Sequence, residues 1–278
     1  MLRTSIKLAP LVEPDYNIAV CKFNTHNICQ MSTYNLINAR LRNTAQRISQ
    51  LYFDIKFLRH MPIIKLFLLL KHFRGSKSQL RQDLFVLSHT NFKTGGYFVE
   101  FGAASGYQLS NTFLMEQKFS WSGILAEPAK YWHNELYSKR PNSQIEELCV
   151  WSDSGSVLDF NETVDPELST IKFFSSKNQS ITKSQTVRSY TVKTISLIDL
   201  LRKHKAPKHI DYLSLDTEGS EFKILNSFDF NEYTFGVITC EHNYERDRIA
   251  IYDLLTKNGY IRKHEKISLF DDWYIQKK

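Results

Sequence analysis

Beyond Gln79 the sequence alternates short apolar runs with helix-patterned stretches, and this alternation restricts the chain to very few folds. Tyr97-Phe98-Val99-Glu100-Phe101 reads as a buried strand between Gly95-Gly96 and Gly102. A helix is predicted over Tyr107–Gln117, a second strand over Gly123–Ala126, a second helix over Lys130–Lys139 and a third strand over Ile145–Val150. Residues 152–189, rich in Ser, Thr, Asn and Lys, interrupt the rhythm and read as loops and short edge strands. It resumes with a helix over Ser196–Lys203, strands over Ile210–Leu215 and Phe235–Cys240, and a helix over Arg246–Asn258 ended by Gly259. Tyr260–Lys263 and Trp273–Gln276 read as a closing strand pair. The expectation is an α/β, Rossmann-like fold: a mostly parallel sheet with helices on both faces and an antiparallel C-terminal strand.

The region before this rhythm has a different character. Residues 1–80 hold 12 of the 36 Lys and Arg but only 3 of the 29 Asp and Glu, so the net charge of +7 belongs to the N-terminal third. The domain boundary is therefore set as a basic, partly helical extension over 1–77 and a domain over 78–278. With the basic residues outside the domain, no nucleic-acid partner is expected. The first 30 residues show weak periodicity and are expected to be poorly ordered. From Tyr34 to Phe73 the apolar residues recur at helical steps, with Pro62 predicted to break the run and Gly75-Ser76 to stop it. The apolar stretch Ile55–Phe73 is interrupted by Lys56, Arg59, Lys65 and Lys71, so its longest clean run is far below the ~20 residues of a membrane span. Its favoured reading is a helix packed on its own domain; the other is peripheral contact of residues 34–73 with an anionic membrane surface. Cys21, Cys29, Cys149 and Cys240 form no CxxC pair, Cys149 and Cys240 read as buried thiols, and no signal-peptide pattern opens the chain. A cytoplasmic location, with or without peripheral membrane contact, fits these features.

Chemistry enters at Val99-Glu100-Phe101-Gly102-Ala103-Ala104-Ser105-Gly106, where a strand delivers an acidic residue to a small-residue turn. Gly102 permits a tight turn, and Gly106 is expected to let a ligand approach the backbone. N–H groups at the following helix start are expected to hold a carboxylate. S-adenosylmethionine offers both a carboxylate and an ammonium group, and Glu100 is a candidate for the latter. Glu127-Pro128 ends the second strand, where an acidic residue can accept from both hydroxyls of a ribose. Glu127 also has a simpler reading as a helix cap. A nicotinamide dinucleotide would use the same ribose logic, but its GxGxxG fingerprint is not met here, since Ala104 stands where a middle glycine would fall.

The chain resembles the FkbM-type methyltransferase family. The resemblance is carried by Val99–Gly106, Gly123–Pro128 (GILAEP), Ile210–Glu221 (IDYLSLDTEGSE) and Ile238–Tyr244 (ITCEHNY), with Ser78–Asp83 and Asp271-Asp272-Trp273 as landmarks at the two ends. It implies a class I methyltransferase fold, S-adenosylmethionine as methyl donor and, usually, an oxygen acceptor. The family loop often carries Asn where this chain has Ala104. In similar proteins the region after the third strand borders the adenine, which would have Trp151 stack on the base and Asp153 accept from its amine. Trp151 reads equally well as a core residue at a strand end.

In a parallel sheet, ligands gather at the C-terminal ends of strands. That expectation clusters Asp216, Glu218, Glu241 and His242 as catalytic candidates. A hydroxyl acceptor benefits from a general base, and the base is left open among Glu218, Glu241 and His242. Glu218 and Glu221 also suit the first turn of a following helix. No metal spacing is recognised, and none is expected. The polar insert is a candidate lid, and equally a solvated surface loop. The reading is O-methylation of a carbohydrate, other glycan or related small molecule. The alternative is a catalytically silent methyltransferase-fold module associated with membrane surfaces. The sequence does not address oligomeric state.

Overall fold

The computed structural model describes residues 44, 47–164, 169–171 and 186–277. Cys21, Cys29, residues 34–43 of the helical pattern and most of the insert over 165–185 lie outside the described residues. The chain divides between Tyr52 and Phe53, and every strand among the described residues belongs to the second unit, Phe53–Lys278. A helix, α1, runs through residues 47–60 and ends before Pro62, as the sequence requires. A single 3-10 turn at Ile63–Lys65 leads into α2 (Leu66–His72), and α3 (Gln82–His89) follows. The alternating part then runs β1 (Tyr97–Phe101), α4 (Phe113–Phe119), β2 (Ser122–Ala126), α5 (His133–Lys139) and β3 (Gln144–Glu146). Next come β4 (Cys149–Trp151), β5 (Val157–Thr163), β6 (Thr170–Ile171) and β7 (Thr186–Ser196). The chain closes with α6 (Leu197–Lys203), β8 (His209–Leu215), α7 (Glu221–Asn226), β9 (Thr234–Glu241), α8 (Asp247–Lys257), β10 (Tyr260–Lys263) and β11 (Asp271–Gln276).

Seven strands form the main sheet in the order β10-β11-β9-β8-β1-β2-β3. All neighbours are parallel except β11, which runs antiparallel to both β9 and β10. This is the expected class I methyltransferase architecture. Period-two alternation sends successive side chains to opposite faces. Phe98, Leu125, Tyr212 and Val237 join one apolar cluster; their neighbours Val99, Ile124, Leu213 and Ile238 join another. Helices α6, α7 and α8 cover the second cluster, through Leu197, Leu225 and Leu255 among others. The first is covered by α3, α4 and α5, and also by Phe57 of α1 and Leu69 of α2. Residues 53–77 therefore contribute to the core of the same unit as the sheet. The two end landmarks meet: Gln82 Nε2 donates to Asp271 Oδ2 at 2.8 Å.

Two local predictions are corrected. The single third strand over Ile145–Val150 is two strands in two sheets, because the chain leaves the main sheet at Glu146, whose own carboxylate accepts from Leu148 N at 3.2 Å. β4 instead joins a four-stranded sheet, β4-β7-β5-β6, built largely from the polar insert. The first helix starts at Phe113 rather than Tyr107. Ser110, Asn111 and Thr112 are held by the buried Glu100 carboxylate, and Leu109 takes a left-handed conformation, so no helix can form across them.

Candidate active site

Strand register builds the site. Phe101 pairs with Ala126 on one side and Leu215 on the other, and Leu215 pairs with Cys240. The next residues, Gly102, Glu127, Asp216 and Glu241, therefore emerge side by side from four adjacent strands. The chain reverses its direction of travel across the sheet between β1 and β8, which opens a crevice at their C-terminal ends. A cavity of about 280 Å³ lies there, lined by Gly102, Ala103, Ala104, Glu127, Asp216 and Glu241 among others. A Cβ on Gly102, at φ +69°, would sit 1.8 Å from Asp216 O, so only glycine lets β1 and β8 deliver their ends this close together.

Glu127 is buried, with Oε2 accepting from Ala104 N at 2.8 Å and Oε1 from Ala129 N at 2.7 Å. These bonds tie the glycine turn to the end of β2 and fix the carboxylate at the cavity wall. Burial outweighs them and raises its pKa to about 7, with Asp216 and Glu162 adding to the rise. Glu100 lines the same cavity but is already engaged by the protein. Its Oε1 accepts from Asn111 N at 2.7 Å, and its Oε2 from the hydroxyls of Ser110 and Thr112. Arg140 Nη1 stands 3.9 Å away.

Asp216, Glu218 and Glu241 each place a carboxylate oxygen within 4.8 Å of the others, a spacing at which oxygen ligands can share a divalent cation. Asp216 and Glu241 lie close enough for each carboxyl to feel the charge of the other. Asp216 is open to the cavity, but the surrounding protein desolvates both carboxyls and pushes both pKa values up. The neighbouring Asp216 charge then takes Glu241 well above the usual carboxylate range. Glu218 sits at φ +58°, in the left-handed region, and Asn243 Nδ2 donates to its carboxylate at 3.4 Å. Among the described residues, the cavity lining holds no lysine or arginine.

Several expected residues lie elsewhere. Ser105 and Gly106 are turned from the cavity: Ser105 Oγ accepts from Gln108 N at 3.2 Å, and a Cβ on Gly106 would meet Leu136 and Arg140. Because α4 starts at Phe113, the turn presents no free helix N-terminus. Trp151 packs in the satellite core with Phe160 and beneath Lys223, and Asp153 is engaged by Ser152 and Ser156; neither lines the cavity. Cys149, Val150 and Pro128 line it instead. His242 is also outside this cavity, its Nδ1 accepting from Tyr244 N at 2.9 Å and its Nε2 3.8 Å from Asp272 Oδ1. Burial lowers its pKa. Glu221 binds back to Thr217 N at 2.8 Å and Gly219 N at 3.1 Å, closing its own turn.

Sequence reasoning did not single out Asn111, Gln79 or the individual residues of the insert that line the cavity. Asn111 lines the cavity, donates to Ser214 Oγ at 3.0 Å and leaves its buried Oδ1 without a hydrogen-bond partner. Gln79 lines the rim, and Phe160, Ser169, Thr170 and Ile171 of the insert supply another wall. Thr170 Oγ1 donates to Glu218 O at 3.4 Å, fastening that wall to the end of β8. The sequence signal for the insert residues was the polar insert itself.

The sequence profile described as Methyltransferase FkbM domain matches residues 100–272. No curated protein matches the sequence. Among solved structures, the chain is similar to a precorrin-6y C5,15-methyltransferase from Geobacter metallireducens (12% identity, 69% of this chain, 84% of that one, TM-score 0.38). It is also similar to the methyltransferase FkbM of Methylobacillus flagellatus (9% identity, 83% of this chain, 60% of that one, TM-score 0.41).

Proposed function

The chain belongs to the FkbM methyltransferase family, and we propose that it moves the methyl group of S-adenosylmethionine to a hydroxyl of a carbohydrate, glycan or related small molecule. The observation that carries this reading is the cavity beside Gly102: it is acidic, and the donor is cationic. Glu127, Asp216 and Glu241 line it without a lysine or arginine among the described lining residues. A dinucleotide with a pyrophosphate would meet unfavourable charge there; a sulfonium with an ammonium group meets favourable charge. The unpartnered Asn111 Oδ1 suits the ammonium group, a role the sequence pattern offers to Glu100. Glu127, already aligned by two backbone N–H groups, keeps lone pairs for a ribose diol.

Bound donor supplies a sulfonium methyl group open to in-line attack. The residues of this chain position the acceptor and take its proton. Glu241, the more strongly raised of the two, keeps its proton and can offer it as a hydrogen bond to Asp216, which is the carboxyl left to ionise. Asp216 would accept the proton that the acceptor hydroxyl loses as its oxygen takes the methyl group and the carbon–sulfur bond of the donor breaks, releasing a neutral thioether. The walls from the insert close over this point. The intact cavity gives no support to a silent module. The buried free thiols Cys149 and Cys240 suit a reducing cytosol.

The test is methyl incorporation from labelled donor into a panel of glycosides and free sugars, with donor affinity followed by calorimetry. Asp216→Asn is expected to lower kcat by about 10²–10⁴-fold, the range for a lost general base. Donor affinity should change far less. A folded protein with no measurable donor binding would overturn the reading. Product methylated on nitrogen or carbon would overturn the hydroxyl assignment alone.

A further inference from the structure

Residues 55–82 contain seven Lys and Arg and no Asp or Glu. One side of this stretch is spent on the core, where Phe57 and Leu69 are fully buried. The other side is strongly apolar. Ile63 and Ile64 are each 86% exposed and Phe67 is 78% exposed, with Leu70 more than half exposed beside them. Single exposed apolar residues are ordinary on protein surfaces; a run of this density is not. Pro62 creates it, because it ends α1 and forces the tight turn at Ile63–Lys65 that carries the two isoleucines.

Cations frame the run. Arg59, Lys71 and Arg74 are exposed, and among the described residues no ion pair engages them. Lys65 is held by Ser88 O and Lys56 by Lys266 O, so those two stems brace the turn against the domain. We infer that the face formed by Ile63, Ile64 and Phe67, ringed by Arg59, Lys71 and Arg74, docks on an anionic lipid surface. The apolar tips enter the headgroup boundary and the cations meet lipid phosphates and carboxylates. No described helix is long and apolar enough to cross a membrane, so the contact lies on the surface. A second copy of the chain fits this face poorly. It would bring the same unbalanced cations opposite one another, with no acidic residue in 55–82 to pair them. The inference is independent of the methyl-transfer reading.

The experiment is sedimentation of the full chain with vesicles of phosphatidylcholine alone and of phosphatidylcholine with phosphatidylserine. The chain should partition onto the phosphatidylserine vesicles only, and less so as salt rises. I63E/I64E/F67E and, separately, K71E/R74E should each weaken partitioning by about tenfold or more. Both variants should keep the wild-type thermal transition, since each residue is exposed. The inference is overturned if the wild type stays in solution with phosphatidylserine vesicles, or if the triple variant sediments like the wild type. A wild-type dimer that I63E/I64E/F67E splits into monomers would also overturn it, because a second copy would then be the occupant.

Discussion

Two groups of carboxylates sit near the same edge of the sheet, and they are built to opposite plans. In the first, Glu100 and Glu116 converge on Arg140, which is fully buried. Arg140 Nε donates to Glu116 at 2.6 Å, Nη1 to Gly106 O at 3.1 Å and Nη2 to Thr112 Oγ1 at 2.9 Å. The second group is Asp216, Glu218 and Glu241 at the ends of β8 and β9. Here like charges crowd: burial pushes the pKa values of Asp216 and Glu241 up, and repulsion from Asp216 adds to the rise at Glu241. A charge balanced inside the protein holds the turn in place. A carboxylate crowded by its like, in a cavity lined by no lysine or arginine among the described residues, is available to a cationic donor or an acceptor hydroxyl. Under the proposed function the first group serves structure and the second chemistry.

The sharpest way to break this contrast is Arg140→Met. It strands two buried carboxylates and should destabilise the fold by about 3–5 kcal/mol in chemical denaturation, whereas Asp216→Asn should leave stability unchanged or slightly raised. Equal effects of the two would erase the distinction. Next in size, Glu127→Ala should weaken donor binding by about 1–3 kcal/mol in calorimetry, because it removes a charged acceptor and frees Ala104 N. Asn111→Ala should weaken it by about 0.5–1.5 kcal/mol, the worth of one hydrogen bond, with little change in stability. An unchanged affinity would return the ammonium role to Glu100.

The same contrast predicts a pH dependence. Burial raises Asp83 to about 6, Glu127 to about 7 and Asp271 to about 8. From about pH 4, where ordinary carboxylates ionise, up to those values, the folded chain keeps protons that the unfolded chain has released. Stability should therefore be greatest on the acid side of this window and fall as pH rises through it. Asp271→Asn should flatten the upper part of the slope in thermal unfolding. A stability that rises from pH 5 to 8 would contradict these shifts.

The sequence by itself determined the sheet and the positions of its ends. Apolar strands with glycine before or after them can pack only in the middle of an α/β sheet, so Gly102, Glu127, Asp216 and Glu241 were legible as neighbours from the residues alone. The local pattern of Pro62 was equally decisive, because a missing N–H acts on its own turn. What the tertiary structure alone decided depends on contacts distant in sequence. Gly106 was a candidate for ligand approach, yet Arg140, 34 residues later, occupies that side. His242 was a candidate base, yet the antiparallel return of β11 places Asp272 behind it and buries it away from the cavity. Trp151 and Asp153 were expected at the donor pocket from the resemblance, but the chain leaves the main sheet after Glu146 and carries them into the second sheet and its turn. Asn111 was overlooked because its value comes from one buried oxygen left unpaired in a residue that lines the cavity. Periodicity and turn chemistry report on neighbours along the chain; which polar atoms remain unpaired is settled only when distant segments meet.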